Sequence, residues 1–271
     1  MKKIKAILCD FDGTLVDGSY KYSLTTKNLI NKIVKKGVRF SLATGRAYYG
    51  TIENIVNTLD IKGIHILHGG GLIYDSENKK IIWEQEISKA STAIILDYFL
   101  QKRFFFVVET KNYLFLPSTK NIPDFLQVCP QKSIKQYSEK ERILKMTLTS
   151  DINKFSEKEI DSYKKYIESF LSDVSVIKFK FGDSYGLDIT SEKSTKHTAV
   201  LEYIKFLELS KERVVAIGDG LNDYPLFTAS GFKIAMGNAH KELKEIADLV
   251  VSPLDEGGIE EALEYILKHL L

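Results

Sequence analysis

The sequence predicts an α/β protein: a Rossmann-like core on a parallel sheet, interrupted by an inserted α+β domain. Three observations carry this. The first third of the chain alternates short β-branched apolar runs with helical spacings, and the last third resumes that rhythm. The middle carries longer, aromatic-rich strands instead. Strand–helix–strand alternation implies right-handed crossovers and parallel pairing. The core is assigned to residues 1–82 and 189–271, and the insert to residues 83–188.

The elements follow in order. Ile4 to Cys9 is an apolar run of the kind that forms a strand buried on both faces. Leu29, Ile30, Ile33 and Val34 recur at helical spacing within Thr25–Lys36, and Gly37 stops that helix. Val38 to Ala43 is a second strand. Ala47 to Leu59 is a second helix, and Ile64 to Leu67 a third strand before the glycines 69–71. In the insert, Phe104–Val108, Tyr113–Leu116 and Val174–Phe181 read as strands, with a hairpin turn at Lys111-Asn112. Ser91–Lys102 and Glu157–Leu171 read as helices. Phe104 to Phe106 and Tyr113 are assigned to sheet packing rather than to a pocket. The closing segment predicts a helix over Lys196–Leu207 and strands at Val214–Ile217, Phe232–Met236 and Leu249–Val251. An amphipathic helix over Ile259–Leu270 ends it.

Composition excludes several classes. A net charge of +2 across 271 residues, with both signs mixed, does not make the basic surface that nucleic-acid binding needs. Two cysteines, Cys9 and Cys129, offer no disulfide framework and point to a reducing, cytoplasmic setting. The short run ending in Asp10 is not a signal peptide, and no apolar window reaches bilayer-spanning length.

The chemistry concentrates at strand ends. Asp10-Phe11-Asp12-Gly13-Thr14-Leu15 follows the first strand. Strand alternation would aim Asp10 and Asp12 to the same side. Two carboxylates there are costly to desolvate without a cation. Gly218-Asp219-Gly220-Leu221-Asn222-Asp223 ends another strand, and so many hard oxygen donors suit magnesium better than zinc. Thr44-Gly45-Arg46 offers a hydroxyl and backbone N–H groups before a helix, the makings of a phosphate cradle. Lys196 sits at a helix start. Each feature alone has a plainer reading as turn, cap or surface charge. Together they fall on one edge of the sheet, where open α/β sheets bind ligands. His65 and His68 lack a third suitable donor nearby and are read as core or loop histidines.

In this order the motifs resemble those of the haloacid dehalogenase-like superfamily of phosphatases, and more narrowly its Cof-type subfamily, subclass IIB. Asp10–Leu15 matches the first motif, Thr44 the second, Lys196 the third and Gly218–Asp223 the fourth. Ala235-Met236-Gly237-Asn238-Ala239 and Ala247-Asp248 also fit the subfamily. His68-Gly69-Gly70-Gly71 departs from its usual Asn-Gly-Ala turn.

The resemblance implies roles. Asp10 is the nucleophile and a magnesium ligand. Asp12 is the general acid and then base, its backbone carbonyl touching the metal. Asp219 is a second carboxylate ligand, and Asp223 a ligand or its neighbour. Thr44, Gly45, Lys196 and Asn222 hold the phosphoryl oxygens. The insert becomes a cap domain that sets specificity for a small phosphorylated metabolite, a sugar phosphate or similar. The alternatives are a phosphomutase or phosphotransferase using the same aspartyl phosphate, and a non-catalytic phosphate-binding protein.

Overall fold

The computed structural model describes residues 3–118, 120, 122, 126, 129–181 and 184–271. The chain divides into two compact units. One comprises Met1–Arg46, Thr51–Trp83 and Thr195–Leu271; the other comprises Ala47–Gly50 and Glu84–Ser194.

The first unit is built on a five-stranded sheet. Its strands are β1 (Ala6–Cys9), β2 (Arg39–Leu42), β12 (Val214–Gly218), β13 (Phe232–Ala235) and β14 (Leu249–Val250), in the order β14-β13-β12-β1-β2. Every pairing is parallel. All four residues of β1 are buried, as a strand covered on both faces requires. The N-terminal chain thus has β2 on one side and the C-terminal strand β12 on the other, with Ala6 opposite Arg39 and Val214.

The expected third strand behaves differently. β3 (Ile64–Leu67) pairs antiparallel with β4 (Leu72–Asp75), which is followed by β5 (Lys80–Glu84) in a separate three-stranded sheet. A single parallel bridge, Ala43 to Ile66, joins β3 to the end of β2. The tight turn over glycines 69–71 folds the chain straight back, so no crossover helix intervenes.

Ser23 caps the helix Leu24–Lys35 by accepting the Thr26 N–H, and Thr195 caps Lys196–Phe206 by accepting the Thr198 N–H. The second helix spans Thr51–Leu59, shorter than the expected Ala47–Leu59. Gly50 lies at φ +72°, which breaks the helical run ahead of it. The last helix is α-helical over Gly258–Tyr265 and widens to a π-helix over Ile266–Leu270.

The second unit is a six-stranded sheet in the order β10-β11-β9-β6-β7-β8. The strands are β6 (Phe106–Glu109), β7 (Leu114–Leu116), β8 (Gln131–Ser133), β9 (Lys145–Thr149), β10 (Val174–Phe181) and β11 (Ser184–Ser191). The β6–β7 hairpin turns where Lys111-Asn112 predicted it. β11 runs unbroken past residue 188, paired to β10 throughout, so the junction with the first unit falls later, at Ser194–Thr195. One sheet face, carrying Phe106, Val108, Met146, Leu148, Leu187 and Ile189, forms a core with Ile95 and Phe99 of the helix Lys89–Gln101 and with Ile160 and Ile167 of the helix Glu157–Phe170. Phe106 lies in this core and Phe104 packs against it. Tyr113 takes the Lys132 ammonium over its ring, 3.6 Å from the centroid.

Candidate active site

The site is assembled at the carboxyl ends of three adjacent parallel strands. Asp10 follows β1, Thr44 lies just past β2, and Asp219 follows β12. Backbone pairing fixes these ends: the Asp10 N–H donates to the Ile217 carbonyl (2.9 Å) and the Ala43 N–H to the Cys9 carbonyl (2.8 Å).

Lys196 is the hub. It opens its helix, is 2% exposed, and its Nζ lies 2.5 Å from both Asp10 Oδ1 and Asp223 Oδ1. A buried ammonium is tolerable only when paired in this way. Burial works against its charge, but the two carboxylates prevail and hold it above the usual lysine value. Gly70 makes this placement possible. At φ +106° a side chain there would run into the Thr195 backbone, so only glycine lets the turn after β3 abut the start of the helix.

Asp223 is fully buried and heavily engaged. Its Oδ2 accepts the N–H groups of Asp219 (3.1 Å) and Gly220 (3.0 Å), while Oδ1 faces Lys196. Asp219 accepts the Thr14 hydroxyl at Oδ1 (2.8 Å) and the Asn238 amide at Oδ2 (3.3 Å). Gly13, at φ +79°, leaves room for it; a Cβ there would lie 2.5 Å from Asp219 Oδ2.

Asp10, Asp219 and Asp223 each offer an oxygen within 4.8 Å of the other two. Three carboxylates face one ammonium, so negative charge is in excess when all are ionised. Burial, reinforced by the Asp223 charge and opposed by Lys196, raises the Asp10 carboxyl well above the ordinary range. Burial, opposed by Thr14 and reinforced by Asp223, pushes Asp219 up to about 6. An all-oxygen donor set carrying this excess charge fits a hard divalent cation.

Asp12 stands apart from this cluster. β1 ends at Cys9, so strand alternation does not extend through residue 12. The Asp12 side chain is half-exposed and bidentate with Arg46: Nε to Oδ2 and Nη2 to Oδ1, both 2.7 Å. The guanidinium lies over the Tyr20 ring, 4.7 Å from its centroid, and donates to the Tyr20 hydroxyl (3.2 Å). Phe11, by contrast, is wholly buried.

Thr44 is buried, and its hydroxyl accepts the Arg46 N–H (3.1 Å). The Thr44 carbonyl takes the Gly69 N–H (3.0 Å), and the Arg46 carbonyl the His68 N–H (3.0 Å), so the half-exposed Gly45 lies in a loop pinned at both ends. Asn222 is exposed in the β12 loop, its amide oxygen folded against Gly220. His65 and His68 are core groups, both buried. Cys9 is buried in β1, and burial raises its thiol well above the usual value.

Sequence reasoning missed Thr14, Arg46 and Asn238 as parts of the site. Arg46 was visible only as the residue after a predicted phosphate loop, and Asn238 only as part of a family tail.

Residues 7–263 match the profile of the haloacid dehalogenase-like hydrolases. The chain belongs to that family. Phosphatase YwpJ of Bacillus subtilis is 26% identical over 99% of this chain and 100% of its own length. The 5-amino-6-(5-phospho-D-ribitylamino)uracil phosphatase YwtE, also of Bacillus subtilis, is 25% identical over 97% of this chain and 98% of its own. A haloacid dehalogenase-like hydrolase from Bacteroides thetaiotaomicron has the same fold, with a TM-score of 0.84 at 22% identity over 97% of this chain and 100% of its own. The subclass IIB sugar phosphatase BT4131 aligns with a TM-score of 0.77 at 21% identity, over 97% and 98% of the two chains. The expected enzyme class, a phosphoric monoester hydrolase, agrees with these relatives. No helix among the described residues is long and apolar enough to cross a membrane.

Proposed function

We propose that the chain is a cytoplasmic, magnesium-dependent phosphatase that hydrolyses a small phosphorylated metabolite through an aspartyl phosphate on Asp10. The observation that carries this reading is the buried Lys196 bridging Asp10 and Asp223 beside Asp219.

Asp10, Asp219 and Asp223 would hold the cation, with the Asp12 carbonyl beside them. Bound there, magnesium would offset the repulsion between carboxylate and phosphate ester and polarise the phosphoryl group. Lys196, Thr44, Gly45 and Asn222 would bind the phosphoryl oxygens. An Asp10 oxygen attacks phosphorus while the bond to the leaving oxygen breaks, and Asp12 gives that oxygen a proton. Water then attacks the aspartyl phosphate, and Asp12 takes the proton from it. The bond to Asp10 breaks, restoring the carboxylate and releasing inorganic phosphate. Dividing hydrolysis this way makes each step easier than a direct one.

The unit comprising Ala47–Gly50 and Glu84–Ser194 is the proposed cap and the source of substrate selectivity. BT4131 is a sugar phosphatase and YwtE acts on a phosphoribityl compound. Both support a polyol or sugar phosphate as the first class to assay.

The test is hydrolysis of p-nitrophenyl phosphate and of a sugar-phosphate panel by the purified chain. Magnesium should be required, lost to a chelator and restored on adding it back. Asp10→Asn should abolish turnover, and wild-type rates in that variant would overturn the assignment. Phosphate release with water as the only acceptor separates a phosphatase from a phosphomutase.

A further inference from the structure

We infer that Thr14 and Asn238 are positioning residues that jointly set the affinity of the cation site by fixing both oxygens of Asp219. The inference rests on the reading of that site given above.

Asp219 is the least buried of the three clustered acids, so the packing that immobilises Asp10 and Asp223 is weaker around it. Two donors replace that packing. Thr14 is fully buried and directs its hydroxyl at Oδ1 (2.8 Å). Asn238 reaches Oδ2 (3.3 Å) with its amide nitrogen.

Asn238 is itself held at two further points, which makes it a rigid support rather than a loose surface amide. The same nitrogen donates to the Gly13 carbonyl (2.9 Å), and its side-chain oxygen accepts the Leu254 N–H (3.0 Å). It therefore ties together the loop after β1, the loop after β12 and the segment after β14. Asp219 and Asn238 share a further link, because the Asp219 carbonyl accepts the His240 N–H (3.0 Å).

A carboxylate with one donor on each oxygen cannot rotate about its last bond without breaking one of them. Each oxygen keeps a lone pair, so the donors orient Asp219 without consuming its capacity to ligate. Fixing a ligand before the cation arrives removes an entropic cost from binding. Outer partners of metal ligands typically change metal affinity about 10- to 100-fold when removed.

The test is calorimetric titration of magnesium chloride into the cation-free full chain, with thermal melting in chelator as the companion measurement. Thr14→Val removes one donor at nearly constant shape, and Asn238→Ala removes the other. Each is expected to bind magnesium about 10- to 100-fold more weakly than wild type. Thr14→Ser, which keeps the hydroxyl, should bind within a few-fold of wild type. Should Asn238→Ala fail to fold, because it also loses the Gly13 and Leu254 bonds, the Thr14 pair decides the matter. Variants that melt earlier in chelator yet bind magnesium as tightly as wild type would show a purely structural role and overturn the inference. A wild-type chain that binds no magnesium would instead sink the cation reading itself, and the inference with it.

Discussion

Lys196 and Asp10 lie 186 positions apart in the chain, yet the ammonium and the carboxylate, both buried, meet at 2.5 Å. Because Asp223 Oδ1 also lies 2.5 Å from that ammonium, Lys196 bridges two carboxylates that would otherwise repel each other. Lys196→Met should therefore leave an uncompensated pair. Removing one preorganised charged donor of this kind lowers turnover by about 10²- to 10³-fold. Steady-state kinetics with p-nitrophenyl phosphate would read the loss, and a variant within threefold of wild type would contradict the placement.

Arg46 should matter most when the leaving oxygen needs a proton. Its bidentate grip orients the Asp12 carboxylate and must loosen at one oxygen before Asp12 carries a proton. Arg46→Met is expected to lower kcat/KM for an alkyl phosphate by about ten- to a hundred-fold, less than the 10² to 10⁴ of general acid catalysis because Asp12 itself remains. With 2,4-dinitrophenyl phosphate, whose leaving group departs without a proton, the loss should be small. Equal losses on both substrates would point to phosphate binding instead.

Cation affinity should fall in acid. Asp219 in the cation-free protein is pushed up to about 6, chiefly by burial, and Asp10 is raised as well. Below that pH, protons compete for the oxygens that would ligate magnesium. Calorimetry at pH 7.5, 6 and 5 should show affinity dropping below the transition, with a slope that approaches about tenfold per unit for one competing proton. An affinity that does not change across this range would remove Asp219 from the ligand set.

Stability carries its own pH dependence through His65. Burial pushes its imidazole down to about 4, against the opposing pull of the Ile61 carbonyl and Asp75. The neutral ring uses Nδ1 to accept the Leu42 N–H (3.1 Å), a bond that protonation of Nδ1 would end. The folded value lies below the unfolded one of about 6.5. The contribution is thus present above pH 6.5 and lost as pH falls from there towards 4. Linkage puts the full loss at about 3 kcal/mol. Urea denaturation should show the stability difference between wild type and His65→Gln shrinking over that window.

Asp10 and Asp219 were legible as strand-end acids because each stands where an apolar run stops. A run such as Ile4–Cys9 ending in Asp10, or Val214–Ile217 ending before Asp219, signals a buried strand and the chemistry at its tip in a single pattern. The Arg46–Asp12 pair was not legible, since it depends on how two loops from different strands face each other. Nor were the β4–β5 hairpin, β9 and β11. In β11, Ser184–Ser191, Tyr185, Leu187 and Ile189 alternate with Gly186, Asp188 and Thr190, but glycine and aspartate are poor strand formers and mask that short pattern. The early start expected for the second helix failed at Gly50, one residue whose backbone angle decides the boundary.

The central strand of the first unit has a consequence for synthesis. β1 leaves the ribosome early and can pair with β2 at once, but its other neighbour, β12, is not translated until residue 214. Throughout that interval β1 lacks its β12 partner, and Asp223, which shares Lys196 with Asp10, has not been made. The nascent protein consequently carries an incomplete sheet until its last quarter emerges, whereas residues 84–194, contiguous in the chain, can fold before then.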